Sequence, residues 1–218
     1  MSHLSLVKSL SHLQQEQSYA DEILLDGSGL SFLRGSITEL SGDASTGKRS
    51  IALALLAKLT TTGEICACVD AAGSFDPVTA RLAGVELDNL LWARCGGSVE
   101  MTFLSADHLV QAKGFGAIWL DLTGIDEQKL RLVPRTYWYR YRTRIRETPT
   151  IIVVTSRSSV AGSASHAPYE LDREHSVWSG NGSFKLLREF HLSITSKKHF
   201  TGPPLRTRAE FDYSEVRI

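Results

Sequence analysis

From Gly35 onward, apolar and β-branched positions gather into short runs that alternate with longer stretches of helical periodicity. The runs predict strands over 36–40, 65–70, 89–93, 117–121 and 150–155, and the periodic stretches predict helices over 48–59, 77–83, 100–112 and 134–147. Alternating strand and helix is the pattern of βαβ units. The expected fold class is therefore α/β, with a mainly parallel twisted sheet flanked by helices. Two later segments, 184–196 and 206–213, are separated by the turn-forming Gly202-Pro203-Pro204 and predict a closing antiparallel region at the C-terminus. Residues 3–17 place Leu4, Leu6, Val7, Leu10 and Leu13 on one side of a short helix, and the loop YADEILLDGSG follows. This divides the chain into an N-terminal helix and linker, 1–34, and a core domain, 35–218. The stretch SRSSVAGSASHAP, 156–168, has no apolar periodicity and predicts a mobile loop.

The 218 residues fit one large domain, and 42% hydrophobic against 22% charged residues excludes default disorder. Lys and Arg total 24 and Asp and Glu total 24, so bulk charge gives no case for nucleic acid; only a local cluster can. The longest apolar run, about nine residues around 51–59, is well short of the ~20 that span a bilayer. The start MSHLSLVKSLSHLQQEQ lacks a signal-peptide core. A cytoplasmic chain with no membrane partner is expected. Cys66, Cys68 and Cys95 have no metal-ligand spacing and read as reduced, buried thiols.

The chemistry concentrates where the first core strand runs into Gly42-Asp43-Ala44-Ser45-Thr46-Gly47-Lys48-Arg49-Ser50 and then an Ala/Leu-rich helix. The string fits G-x4-G-K: glycines let backbone amides curl around phosphate oxygens, the helix N-terminus favours negative charge, and Lys48 supplies a mobile ammonium. Position 49 departs from the pattern. A Ser or Thr hydroxyl there normally helps to hold Mg²⁺, whereas this chain has Arg49, with Ser50 one place late and ~100° around the helix. Asp121 ends an apolar strand, as either a metal-orienting acid or a turn residue. Glu100 either polarises a water or simply places charge at a helix N-terminus.

Between Arg131 and Arg146 six arginines and no acid interleave with Tyr137, Trp138, Tyr139 and Tyr141. Helical geometry puts Tyr137, Trp138, Tyr141 and Ile145 on a core-facing side and Arg135, Arg142 and Arg146 in one flanking sector. That stripe suits a phosphate backbone, an acidic protein partner or plain solvent, with Tyr139 placed to stack on a base.

Val69-Asp70-Ala71, then Asp76-Pro77 through Ala80-Arg81, Gly84-Val85 and Asp88-Asn89-Leu90-Leu91, resemble in near register the second-to-third-strand segment of the RecA recombinase family. The resemblance spans about residues 33–213 and implies a RecA-like P-loop NTPase core. It further implies that residues 42–50 cradle ATP or ADP, that Asp121 is the Walker B acid, that Glu100 is the counterpart of the catalytic glutamate, and that Asp107 contacts adenine. Lys197 and Lys198 fall near lysines that reach a neighbouring subunit's ATP. Arg157 stands where the family has a γ-phosphate-sensing glutamine, and the first DNA loop is nearly deleted between Asp121 and Pro134. With these departures the chain resembles the reduced ImuA-type proteins. This implies an accessory role in DNA repair and SOS-induced translesion mutagenesis, with single-stranded DNA and the error-prone polymerase machinery as partners. ATP binding would be retained, hydrolysis weak or lost, and the role of Mg²⁺ diminished. Two alternatives stay open: a DNA-dependent ATPase of homologous recombination, and a nucleotide-free interaction module similar to the SulA division inhibitors.

Overall fold

The computed structural model describes residues 22–180, 186–198 and 203–210; the helix expected over 3–17 lies outside them. A hairpin, β1 (Glu22–Leu25) and β2 (Leu30–Leu33), precedes the alternating core of β3 (Ile37–Ser41), α1 (Lys48–Thr61), β4 (Cys66–Asp70), α2 (Pro77–Leu82), β5 (Leu90–Arg94), α3 (Val99–Ala112) and β6 (Ala117–Asp121). Then come α4 (Glu127–Arg131), α5 (Thr136–Ile145), β7 (Ile151–Ser156), β8 (Ala167–Ser179), β9 (Leu186–Ser196) and β10 (Leu205–Glu210). The main sheet has eight strands in the order β10-β9-β8-β3-β7-β6-β4-β5. Pairing from β8 to β5 is parallel, while β8–β9 and β9–β10 are antiparallel, so the fold is the expected α/β core with an antiparallel closing leaf.

Strands β3, β4, β6 and β7 are buried on both faces, which is why β4, β6 and β7 read as near-continuous apolar runs rather than alternating ones. Their period-two alternation divides the core. Ile118, Leu120, Ile152 and Val154 face α3 and α5 through Phe103, Trp138, Tyr141 and Ile145. Trp119, Ile151 and Val153 face α1 through Leu55, Leu56 and Leu59. α1 and α3 thus lie on opposite faces of the sheet. The Tyr141 hydroxyl donates to the Phe103 carbonyl at 2.7 Å, satisfying the one polar atom of a buried ring and tying α5 to α3. Cys66, Cys68 and Cys95 are buried free thiols, and burial pushes Cys66 up to about 11.

Two stretches differ from the sequence expectation. The segment YADEILLDGSG, read as a loop, contains β1 and the turn of the β1–β2 hairpin, which is fixed because Leu25, Leu30 and Phe32 are buried with Leu40 and the α1 leucines. The stretch 156–168, expected to be mobile, is clamped. The buried Glu39 carboxylate accepts from Ser159 Oγ (2.9 Å) and from the Val160 and Ala161 amides (2.7 and 2.8 Å). At its far end the His166 amide donates to the Ile37 carbonyl at 2.8 Å.

Candidate functional site

Strand β3 delivers the chain into the glycine loop, and two backbone positions there require glycine. Gly42 has φ 147°, and a Cβ would meet the Leu171 carbonyl oxygen at 2.2 Å; its amide donates to the Arg157 carbonyl at 3.1 Å. Gly47, at φ 73°, opens α1, and a Cβ would sit 3.0 Å from Leu192 of β9. The closing leaf therefore backs the loop. Ser45 is also left-handed at φ 59°. The loop opens on a cavity of about 410 Å³ lined by Ala44, Ser45, Thr46, Gly47, Lys48, Arg49 and Ser50, with Ser74, Thr123, Gly124 and Arg157 on the other walls. None of these lining residues is an acid.

Lys48 is buried, and its ammonium donates to the Gly42 carbonyl at 2.8 Å and to the Asp43 carbonyl. Burial holds it below the usual lysine range, against the opposing pull of Asp121 and Asp43. A phosphate oxygen is a stronger partner for this charge than two neutral carbonyls.

Beneath the loop, Asp121 ends β6 at 1% exposure. Its Oδ1 accepts from Thr155 Oγ1 (2.9 Å), Thr123 Oγ1 (2.6 Å) and the Thr123 amide (3.2 Å). Its Oδ2 lies 2.9 Å from Arg49 Nε. The pair is ionic rather than a directed hydrogen bond, since Arg49 Nε has no hydrogen-bond partner of good geometry. Arg49 Nη2 donates to the Ser74 carbonyl at 2.7 Å, and the guanidinium lies 5.7 Å from the Trp119 ring centroid. The arginine thus occupies the acid that a loop-bound Mg²⁺ needs. With no hydroxyl at position 49 and both Asp121 oxygens engaged, these residues do not fit the ion.

The loop after β4 supplies Ser74, and Asp70 organises it by accepting from the Gly73, Ser74 and Phe75 amides (2.8, 2.9 and 3.0 Å) and from Trp92 Nε1 (3.2 Å). Burial alone would raise the Asp70 carboxyl, but these donors outweigh it and hold it below the ordinary carboxylate value. Sequence reasoning missed Ser74, Thr123 and Gly124. The available signal was positional: all three follow the carboxyl ends of neighbouring parallel strands, where such sheets bind ligands.

Two residues expected at the site stand elsewhere because α3 packs on the face of the sheet opposite to α1. Glu100, in the first turn of α3, is exposed and lines a separate cavity with Phe103, Leu132 and Tyr137. Asp107 accepts from Arg140 Nε and Arg144 Nη1 at 2.9 and 2.8 Å, joining α3 to α5, and is not among the lining residues of the loop cavity. Arg157 does line that cavity. Arg135 starts α5 on the exposed surface, and Arg142 and Arg146 share a different cavity at the far edge of the sheet.

Comparison with known proteins agrees with this layout. The family model for the RecA N-terminal domain matches residues 12–134. Protein RecA of Corynebacterium aurimucosum is 40% identical over 90 residues, covering 41% of this chain and 24% of that protein. Protein RecA of Methylococcus capsulatus is 38% identical over 104 residues, 48% of this chain and 29% of that protein. Protein RecA of Rhizobium leguminosarum bv. viciae is 50% identical over 58 residues, 27% and 16% of the respective chains. The matched stretch spans less than a third of each of these relatives.

Proposed function

This chain belongs to the RecA N-terminal domain family, and we propose that it is a nucleotide-binding accessory protein of DNA repair and damage-induced mutagenesis that holds ATP or ADP without turning it over. The Arg49–Asp121 ion pair carries the reading. A guanidinium held on the buried acid cancels its negative charge beside the phosphate loop and leaves Mg²⁺ no acid to bind. The backbone amides of residues 44–48 and the N-terminus of α1 receive the phosphates, and Lys48 moves from the Gly42 and Asp43 carbonyls onto a phosphate oxygen. Hydrolysis also needs a base to orient water. Among the described residues no carboxylate lines the cavity, and Glu100 opens on another one. Within such a role, single-stranded DNA and the error-prone polymerase machinery are the partners we infer.

The test is thermal stability with ATP in EDTA and in Mg²⁺, alongside phosphate release. Millimolar ATP at about 100 times its dissociation constant stabilises by about 2.7 kcal/mol, a rise of several degrees for a chain of this size. We expect the same rise in both buffers, no phosphate release, and no rise in Lys48→Ala. Mg²⁺-dependent turnover stimulated by single-stranded DNA would overturn the reading in favour of an active ATPase. Absence of any shift would favour a nucleotide-free interaction module.

A further inference from the structure

The opposite edge of the sheet carries a second collection of positive charge, independent of the phosphate loop. There β3 and β8 begin, β9 ends and α5 finishes, enclosing a cavity of about 440 Å³. Arg142 and Arg146 enter it from α5, His166 from the segment before β8, and Lys198 from just beyond β9. No acidic residue is among the described residues that line it.

The arginines of α5 and its C-terminal end divide into two sets. Arg140 and Arg144 are both paired with Asp107. Arg142 donates to the Ser163 carbonyl at 3.2 Å and lies 5.5 Å from the Tyr139 ring centroid, while Lys198 donates to the Ser165 carbonyl at 2.8 Å. Those partners are uncharged, and among the described residues no carboxylate pairs with Arg142, Arg146 or Lys198. Arg142 and Arg146 are also one helical turn apart, a spacing at which like charges repel. The approach of the helix end to the sheet is built in: Gly35 has φ 69°, and a Cβ there would stand 2.7 Å from the Arg146 carbonyl oxygen. The C-terminal dipole of α5 opposes an anion at this end, but by less than paired guanidinium contacts to phosphate return.

We propose that this cavity is a second phosphoryl-oxyanion site, with Arg142 and Arg146 as its principal donors and Lys198 closing it. Guanidinium forks match the geometry of phosphate oxygens, and relief of mutual repulsion adds to the attraction. The ligand is the phosphate group of either a nucleotide tail or a nucleic-acid strand.

Calorimetric titration with tripolyphosphate tests this by stoichiometry. The wild-type chain is expected to take two equivalents, Lys48→Ala one, and the double variant Arg142→Gln/Arg146→Gln one. In the double variant the lost equivalent weakens by at least about tenfold for each guanidinium removed. Both arginines are exposed, so the double variant tests the site even if Lys48→Ala does not fold. A mixed-sequence single-stranded oligonucleotide then distinguishes the source. Displacement of the far-edge equivalent, with a salt slope that drops by about 1.4 in the double variant, identifies a strand. Failure to compete identifies a nucleotide tail. The site is overturned if the double variant keeps the full wild-type stoichiometry and affinity, or if the wild-type chain takes up only the Lys48-dependent equivalent. Because that equivalent is counted separately, failure here leaves the nucleotide reading standing, and the converse also holds.

Discussion

The two edges of the sheet both collect cations, but by different means. At the carboxyl ends of the strands the site is backbone: seven consecutive residues form the cup, its ammonium is buried, and its acid is sealed by Arg49. At the amino ends the site is made of exposed side chains drawn from positions 142 to 198 of the chain. The first kind is intolerant of substitution because fold and charge are the same atoms. The second separates them, so its charges can be removed at little cost to folding. Stability measurements on the two edges should therefore diverge.

The largest effect is expected at Gly42. Alanine there meets the Leu171 carbonyl at 2.2 Å in a left-handed backbone, and Gly42→Ala should cost about 3 kcal/mol or more and abolish ATP-induced stabilisation, read by denaturant unfolding with and without nucleotide. Gly35→Ala probes the other edge through the one glycine on which it depends. The clash with the Arg146 carbonyl at 2.7 Å should cost about 2 kcal/mol and weaken tripolyphosphate at the far edge while sparing the Lys48-dependent equivalent. A comparable loss of about 1–3 kcal/mol is expected for Asp70→Asn, which replaces the acceptor of three amides and an indole.

The pH dependence has a definite sign. Because the folded Asp70 carboxyl is held below the ordinary 3.8, its contribution is fully present above that value and is lost as pH falls through the lowered one. Acid titration of stability should show this limb in the wild type and lose it in Asp70→Asn. The smallest effect belongs to Arg142→Gln, which should change stability by less than about 0.5 kcal/mol at this exposed position. A loss as large as that of Gly35→Ala would erase the distinction between the edges.

The same contrast explains what could be read from the sequence. Strands β4, β6 and β7 and the phosphate loop are local signals, a near-continuous apolar run or a contiguous motif, and were legible to within a few residues. β8 was not, since APYELDREHSVWS mixes charge with apolar residues in a strand most of whose side chains are not buried. The β1–β2 hairpin owes its order to Leu25, Leu30 and Phe32 reaching the α1 side of the core, a tertiary fact. Glu100 and Asp107 were expected beside the loop because spacing along the chain does not say which face of a sheet a helix covers. The arginine stripe was visible as helical geometry, whereas its convergence with Lys198 required β9 to be placed.

The clamped stretch that follows β7 links these two edges directly. Its first residue, Arg157, walls the phosphate-loop cavity and accepts the Gly42 amide; its last, His166, lines the basic cavity; and Glu39 grips it midway from inside the sheet. One ten-residue strut thus floors both compartments, stiffened by a single internal carboxylate. Loosening that grip at Glu39 would slacken the two ends together, however differently each is built.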